Sequence, residues 1–255
     1  MAPSRPTRAA AALASLVPVL LLVASCGSGA DPDQPTSAST SASPTPTPEA
    51  VAPSPSVTVT SELPTAAPAQ LVTAGAVAED APAQAAGVGS ATVTYTRGGE
   101  FAVVIVLDCT ACAGGMSPTV LTGPGRGTPY GEAAGPLAGS YLMDVFQGSD
   151  PEQSVWLQAD GPWSIRFESW NDLPGTTGPL SGTGSTVLRM FDQGAHAEVT
   201  WAPAGPDDDF SGRFFGVGDQ QLFGNDEAFT EVVDLPMPGV FAIRTDGTWT
   251  VTPQP

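Results

Sequence analysis

The 255-residue chain contains no lysine, one histidine and three cysteines, and these shortages exclude several kinds of function. Its eight basic residues are all arginine, whereas aspartate and glutamate total 26, so the formal net charge is −18. A surface this acidic repels nucleic acid, and we expect no nucleic-acid role. A zinc site takes four ligands, mostly cysteine or histidine, and three cysteines and one histidine are all that this chain offers. No Gly-x-Ser-x-Gly sequence offers a hydrolase nucleophile. The sequence therefore predicts a protein that is not an enzyme.

Long apolar runs are also missing, apart from one near the N-terminus. Residues Ala9 to Ala24 are almost entirely apolar, and they follow Arg5 and Arg8. A transmembrane helix needs about 20 apolar residues, and this run is shorter, as the core of a signal peptide is. The run therefore predicts an export signal rather than a membrane span.

The apolar run ends in Val23-Ala24-Ser25-Cys26, followed by Gly27. This sequence resembles the bacterial lipobox, in which an aliphatic residue and two small residues precede the cysteine that is acylated. The resemblance implies that residues 1–25 are a lipoprotein signal peptide and that Cys26 carries diacylglycerol. It also implies that membrane lipid is a partner, and that the protein is anchored to the extracytoplasmic face of the cell membrane. The alternative is an ordinary cleaved signal with an incidental cysteine. The lack of lysine, beside abundant alanine, glycine and proline, resembles actinobacterial proteins.

The next segment lacks aromatic residues altogether. Residues 27–68 include 9 proline, 8 serine and 7 threonine residues. Such a segment buries too little apolar surface to offset the entropy of ordering the chain. We therefore expect the lipidated cysteine and a disordered stalk to occupy residues 26–85. For the alanine-rich part, residues 69–85, the sequence leaves two alternatives, a short helix or a continuation of the linker.

Residues 86–255 lack a sustained 3.6-residue apolar period and show short β-type runs instead, separated by glycine, proline, aspartate and asparagine. The region also repeats itself. The paired landmarks are Gly87-Val-Gly89-Ser90 with Gly182-Thr-Gly184-Ser185, Tyr130-Gly131 with Phe223-Gly224, Leu142–Val145 with Val232–Leu235, and Asp160-Gly-Pro-Trp163 with Asp246-Gly-Thr-Trp249. Because the landmarks are collinear, the sequence predicts an all-β fold of two homologous modules, 86–170 and 178–255.

The last landmark carries a structural prediction. Asp-Gly between alternating runs favours a type I′ hairpin turn, which needs positive φ at both residues. Each module would then close with a hairpin that places Trp163 or Trp249 in the core. A sugar-stacking platform is the alternative for these tryptophans. The glycine entry, the aromatic-glycine pair and the closing Asp-Gly-x-Trp resemble tandem small β-sandwich modules, jelly-roll-like or immunoglobulin-like, of secreted actinobacterial proteins. That resemblance brings no functional residues with it.

Cys109 and Cys112 form a Cys-x-x-Cys sequence after an apolar run. Export to an oxidising space favours a structural disulfide between them. A redox pair would stand at the start of a helix, and the glycines that follow oppose one. Free or metal-linked thiols are the remaining alternative. A zinc site would need two more ligands, and the resemblance to a lipobox leaves His196 alone to supply them, because it assigns Cys26 to the lipid.

His196 is the only histidine. On the predicted strand that contains it, His196 and Glu198 face outward, and we expect His196 to be exposed and without a catalytic role.

Carboxylates cluster in the second module. They are Asp207, Asp208, Asp209, Asp219, Asp226 and Glu227. Oxygen-rich loops can hold Ca²⁺, which takes six to eight oxygen ligands. A solvated acidic surface is the default, so no cofactor is expected and calcium is kept as the alternative.

Two tryptophans are candidates for surface contacts. Trp156 alternates out of phase with Val155 and Leu157, and Trp170 lies in a connection, where it could also pack at the joint between the modules. The leading function is a non-catalytic binding module displayed outside the membrane, with an unknown envelope protein or glycan as partner. A carbohydrate-binding module for wall glycans is the alternative, and a thiol-redox protein or hydrolase has the least support.

Overall fold

The structure is a computed structural model, and it describes residues 63–114, 117–143, 150–216 and 221–255, without the side chain of Gln221. The signal peptide, Cys26 and the stalk up to residue 62 lie outside the described residues. Across the described ranges, no helix has the length and apolar character that a membrane crossing requires.

The described chain is built of β-strands, with one 3₁₀ turn at Trp170–Asp172. The strands of the first module are β1 (Leu71–Val77), β2 (Ala83–Val88), β3 (Ala91–Arg97), β4 (Val103–Cys109), β5 (Thr119–Thr122), β6 (Gly131–Ala133), β7 (Leu137–Leu142), β8 (Glu152–Gln158) and β9 (Pro162–Ser169). Those of the second are β10 (Gly175–Thr176), β11 (Leu180–Thr183), β12 (Thr186–Ala202), β13 (Phe210–Phe215), β14 (Gln221–Asn225), β15 (Phe229–Arg244) and β16 (Thr248–Gln254). The predicted all-β fold is confirmed.

The first module is a β-sandwich of two sheets. One sheet has the order β1-β3-β8-β5-β6 and the other has the order β2-β9-β4-β7. Side chains alternate between the core and the outside, as the pleat of a strand requires. In β9, for example, Trp163, Ile165 and Phe167 are buried, whereas Ser164 is exposed. The facing sheets enclose one apolar core.

The second module is one continuous sheet that bends over itself. Trp201 pairs across from Phe229, at the start of β15, yet its indole N–H donates to Thr245 Oγ1 at 2.7 Å, just after the end of β15. A straight strand of this length would hold those two points about 50 Å apart. β15 therefore turns back. β12 bends with it, since the register between β12 and β15 shifts on either side of Gly194.

The bent strands give the second module the strand order of the first. Residues 186–190 of β12 and 239–244 of β15 occupy the places of β3 and β8, between β10 and β13. Residues 196–202 of β12 and 229–234 of β15 occupy the places of β4 and β7, beside β16. Even the parallel pairing of β1 with β3 recurs, as β10 with β12. The repeat in the sequence thus corresponds to a repeat of topology.

The stalk boundary predicted at residue 85 is wrong. β1 and β2 belong to the first sandwich: β1 pairs with β3, and β2 pairs with β9. β2 is alanine-rich and has one β-branched residue, Val88, so its strand character comes from pairing with β9 rather than from its own propensity. The second module likewise includes β10, at 175–176, ahead of the predicted start at 178.

The predicted type I′ hairpins are wrong as well. Asp160 and Asp246 are not among the residues with positive φ, although Gly161 has a φ of 136°. The Asp160-Gly161 turn joins β8 in one sheet to β9 in the other, so the flanking strands do not pair. The Asp-Gly landmark therefore marks a crossing between layers. The prediction that both tryptophans are core residues is confirmed, because Trp163 is 4% and Trp249 is 5% exposed.

Each buried tryptophan closes its module through the same contacts. The Trp163 indole N–H donates to the Gly89 carbonyl at 2.7 Å, and that of Trp249 donates to the Gly184 carbonyl at 3.0 Å. A Cβ at Gly87 would lie 2.5 Å from the Trp163 ring, and one at Gly182 would lie 2.4 Å from the Trp249 ring. The glycine entry of the repeat therefore makes room for the indole.

The two modules dock on each other beside strand β7. The Ser140 N–H donates to the Ser185 carbonyl at 3.2 Å, and the Val187 N–H donates to Ser140 Oγ at 2.8 Å. Val187 and Val240 of the second module are buried in the apolar cluster of the first. The modules consequently form a continuous body with a groove along the joint.

Candidate ligand-binding groove between the modules

Cys109 and Cys112 are joined by a disulfide, which confirms that prediction. The bridged loop packs against the Asp160-Gly161 turn: the Ala113 N–H donates to the Asp160 carbonyl at 2.6 Å, and a Cβ at Gly161 would lie 2.8 Å from the Ala111 carbonyl oxygen. The disulfide thus fixes the end of β4 against the crossing between the two sheets.

A carboxylate holds the equivalent turn of the second module. Asp208 accepts hydrogen bonds from the Ala204 N–H at 2.9 Å, the Thr245 hydroxyl at 3.0 Å and the Asp246 N–H at 2.9 Å. Hydrogen bonds to a charged acceptor are the stronger kind. Asp208 therefore fastens the loop after β12 to the turn before β16, at the place where the first module has the hydrogen bond from the disulfide-closed loop to Asp160.

The calcium candidates that the structure describes do not form a common site. Within the described ranges, no three metal-ligating side chains come together in a group that could hold an ion. Asp208 accepts the hydrogen bonds of the turn described above. An Asp209 carboxylate oxygen accepts a hydrogen bond from the Arg244 guanidinium at 2.7 Å. Asp207 lies in the same loop, Asp226 and Glu227 lie in the β14–β15 turn, and Asp219 is outside the described residues.

The two candidate tryptophans lie in different surroundings. Trp156 is half-buried and lies on the face of β8 opposite the core, paired with Thr92 on one side and Thr122 on the other. Trp170 contacts the Phe215 ring edge-on, with centroids 6.0 Å apart. Since Phe215 belongs to the second module, Trp170 packs at the joint.

His196 lies across from Asp234 in the β12–β15 register. Its Nδ1 lies 2.9 Å from Asp234 Oδ1, and both side chains are exposed. The partner is thus a cross-strand carboxylate rather than Glu198. An exposed contact of this kind contributes little to stability.

The groove between the modules has a basic half that the sequence does not predict. A cavity of 220 Å³ opens where β13 and the end of β15 face β7 and the loop before β6. Its polar lining includes Arg126, Tyr130, Tyr141, Ser211, Arg213 and Arg244. Among the described residues that line it there is no carboxylate. Three of the eight arginines in the chain thus meet in one cavity of an acidic protein.

Strand register explains why two of these arginines meet. Ser211 and Arg213 are two residues apart on β13, so they share a face, and Ser211 pairs with Arg244 on β15. The alternate residues Phe210 and Phe214 fill the core of the second module. Arg213 and Arg244 therefore point away from their own core, toward the first module.

The first module supplies the opposite wall. The Arg126 guanidinium lies 4.2 Å from the centroid of the Tyr130 ring, a cation–π contact that orients it. Burial is the main reason that the pKa of the Tyr141 phenol is raised, and the negative charge of Asp246 adds to this effect. Tyr141 is therefore protonated at neutral pH and remains a hydrogen-bond donor.

An acidic half continues the groove. Arg244 and Pro129 line both the basic cavity and a neighbouring one of 610 Å³, whose acidic lining residues are Glu132, Asp207, Asp208, Asp209 and Asp246. The pKa of Asp246 is raised, first by its desolvation and then by the charges of Asp208, Asp209 and Glu132. The groove is therefore polarised along its length, with Arg244 at the boundary.

The raised pKa of Asp246 leads to a pH-dependent prediction. The folded state binds this proton more tightly than the unfolded chain, whose reference pKa is 3.8. The stabilisation is full below pH 3.8 and is lost as the pH rises through the higher folded-state pKa. We expect Asp246→Asn to raise stability at pH 7 by less than about 1 kcal/mol, because the carboxylate is exposed and screened, and to have no advantage at pH 3.

Urea unfolding of the purified protein between pH 3 and pH 8 measures this difference. Asp160→Asn, in the equivalent turn of the first module, is the matched control for placing an amide in an Asp-Gly crossing. A gain at pH 7 equal in both variants would attribute the effect to the turn rather than to the acidic half of the groove.

Known proteins give little guidance on this groove. No protein-family model matches the chain, and no curated protein is similar to it. Among solved structures, the CUB1-EGF-CUB2 domains of rat MASP-1 are similar over 71% of this chain and 99% of that one, at 9% identity and a TM-score of 0.23. A likeness this distant carries no argument, so function is inferred from the contacts above.

Proposed function

We propose that the protein is a lipid-anchored component of the cell envelope that holds a non-catalytic binding groove outside the membrane. The lipobox-like sequence ending at Cys26 supports the anchor, and the proline-rich segment after it supports a spacer. The observation that carries the binding function is the meeting of Arg126, Arg213 and Arg244 in one cavity of a chain with a net charge of −18.

The side chains of the basic half suit binding better than catalysis. Arginine stays charged at all physiological pH values, and the pKa of Tyr141 is raised further from neutrality. General acid–base catalysis works best with a group whose pKa lies near the working pH. Arg244 already donates one N–H to Asp209 at 2.7 Å. The guanidinium, phenol and hydroxyl groups of the lining are polar groups without a pKa near neutrality, which suits recognition of a ligand better than proton transfer. An envelope glycan is the partner that we propose.

The face around Trp156 is the second candidate. An aromatic ring outside the core, such as the half-buried Trp156 beside Thr92 on the neighbouring strand, is the kind of surface on which a neutral sugar stacks. This arrangement favours a carbohydrate-binding module without use of the groove.

Retention of isolated envelope glycan by the immobilised protein distinguishes the two surfaces. We expect Ser211→Trp, which fills the basic cavity with a ring, to lower retention at least tenfold. Trp156→Ala is expected to leave retention unchanged. Circular dichroism spectra and melting curves like those of the parent protein are required of both variants.

The opposite pattern, with loss in Trp156→Ala and none in Ser211→Trp, would overturn the groove and support the carbohydrate-binding face. Failure of the parent protein to retain any envelope glycan would reject both surfaces as glycan sites.

A further inference from the structure

We propose that the ion pair between Arg244 and Asp209, called the latch below, sets how long a ligand the groove accepts, and that the ligand is an uncharged glycan chain that fills both halves. This inference rests on the proposed function and names the ligand class of the same groove. The place of the ion pair, its exposure and the charge of the acidic half carry it.

One residue from each module divides the groove. Pro129 of the first module and Arg244 of the second are the two lining residues that the basic and the acidic cavities share. Every other described residue around the two cavities lines one of them and not the other. The partition therefore lies across the joint, and a ligand that extends from one cavity into the other has to pass Arg244.

Strand register explains why the Arg244 side chain is held at this boundary. Arg244 pairs with Ser211 on β13, and Asp209 lies two residues before Ser211, which is the spacing at which side chains share a face. A long side chain reaches such a diagonal neighbour on the adjacent strand. The Arg244 guanidinium donates to Asp209 Oδ2 at 2.7 Å. A carboxylate just before β13 thus fixes the cation between the two cavities.

The latch is exposed enough to open. The side chain of Arg244 is 36% exposed and that of Asp209 is 58% exposed. Exposed ion pairs are weak because water competes for both charges, and breaking one changes an equilibrium constant by about two- to fivefold. A ligand that gains contacts in both cavities therefore opens the latch, whereas a ligand confined to one cavity leaves it closed.

The volumes of the two cavities separate short ligands from long ones. The basic cavity, at 220 Å³, equals about seven waters of liquid volume, which is room for one small sugar ring. The acidic cavity, at 610 Å³, equals about 20 waters and has room for a few rings. A monosaccharide thus fits either cavity with the latch closed, and a chain that fills both has to displace Arg244 from Asp209.

The acidic half favours an uncharged chain. Glu132, Asp207 and Asp246 are among its lining residues, and desolvation followed by the charges of neighbouring carboxylates raises the pKa of Asp246. An anionic polymer would bring further negative charge to this place, which costs binding free energy. Sugar hydroxyls instead donate hydrogen bonds, which carboxylate oxygens accept. A neutral glycan therefore suits the acidic half better than an anionic one.

Calorimetric titration of the purified full chain with a ladder of neutral oligosaccharides tests the latch. The ladder is prepared by partial hydrolysis of isolated envelope glycan, and its members are separated by length and by charge. The affinity for the long members should rise about two- to fivefold as salt is added, because salt screens the ion pair and leaves contacts with a neutral ligand unchanged. The affinity for the monosaccharide should not depend on salt.

Asp209→Asn removes the latch. This variant should bind the long members about two- to fivefold more tightly than the parent protein at low salt, and its affinity should no longer depend on salt. Asp207→Asn is the matched control, because it removes a carboxylate from the same cavity and keeps the ion pair. It should keep the salt dependence of the parent protein. Equal behaviour of the two variants would overturn the latch.

The two proposals fail in different ways. Binding of the ladder that is lost in Ser211→Trp, but depends neither on length nor on salt in the parent protein, would overturn the latch and leave the groove as the binding site. Tighter binding of the charged fragments than of the neutral ones would overturn the uncharged chain. Failure of the parent protein to bind any fragment, or binding that is insensitive to Ser211→Trp, would overturn both proposals.

Discussion

Replacement of Trp249 by alanine is expected to lower the free energy of unfolding by about 3–5 kcal/mol, as is usual for a buried aromatic residue. The side chain is 5% exposed and packs in the core of the second module. Its loss leaves a cavity and also removes the 3.0 Å hydrogen bond from the indole to the Gly184 carbonyl. Because the two modules are topologically equivalent, Trp163→Ala should cost a similar amount. Urea unfolding of the purified protein measures both.

Gly182 provides the control for this prediction. Its missing side chain makes room for the Trp249 ring, so Gly182→Ala should destabilise the parent protein strongly. In the Trp249→Ala background the same change should cost much less, since the ring that it would meet is gone. A double-mutant cycle measures this coupling. Additive effects, or a loss below about 1 kcal/mol for Trp249→Ala, would contradict the role of the tryptophan as the closing contact of the module.

Replacement of Cys26 by serine is expected to release the protein from the membrane. Each CH₂ group of a buried acyl chain contributes about 0.8 kcal/mol, so a diacyl anchor holds a protein firmly and its removal leaves no such anchor. The expected result is a change from the membrane pellet to the soluble extracytoplasmic fraction after cell fractionation. A mass increase at Cys26 in the parent protein, absent from the variant, identifies the lipid.

Ser25→Thr is the matched control beside the same site, because it alters the neighbouring residue without removing the thiol. It should keep a measurable membrane-bound fraction. If the parent protein showed no mass increase at Cys26, the lipobox interpretation would be wrong.

The sequence predicts the fold correctly where apolar and polar side chains alternate along a strand. The strand periods around Val155, Ile165 and Val199 identify core faces correctly, since all three are buried. The repeated Gly-x-Gly and Asp-Gly-x-Trp landmarks indicate two modules because the same close approach of glycine to indole is needed in each. These features are local, and a sequence pattern records them directly.

Other parts of the fold depend on pairing between strands that are far apart in the chain, and no local sequence pattern predicts them. The alanine-rich β2 is a strand because β9 pairs with it. The Asp-Gly turns suggest hairpins by composition, but the strands on either side belong to different layers. The sequence does not indicate that Asp208 links the loop after β12 to the turn before β16, because its partners Thr245 and Asp246 are far away in the chain.

The sequence did not predict the candidate groove either. Arg126, Arg213 and Arg244 are far apart in the chain, and strand register together with module docking brings them to one cavity. The scarcity of positive charge was the one feature of the sequence that could have drawn attention to these arginines. The chain has eight arginines and no lysine beside a large excess of negative charge. Of the two tryptophans predicted as surface candidates, Trp170 packs at the joint between the modules and Trp156 lies on an outer face.

Hydrogen–deuterium exchange of the purified protein, with and without isolated envelope glycan, tests most directly whether the groove between the modules is the binding site. The groove predicts slower exchange in residues 126–131, 211–215 and 240–244, and little change in β8. Slower exchange confined to residues 154–158, around Trp156, with none along the joint between the modules, would contradict it.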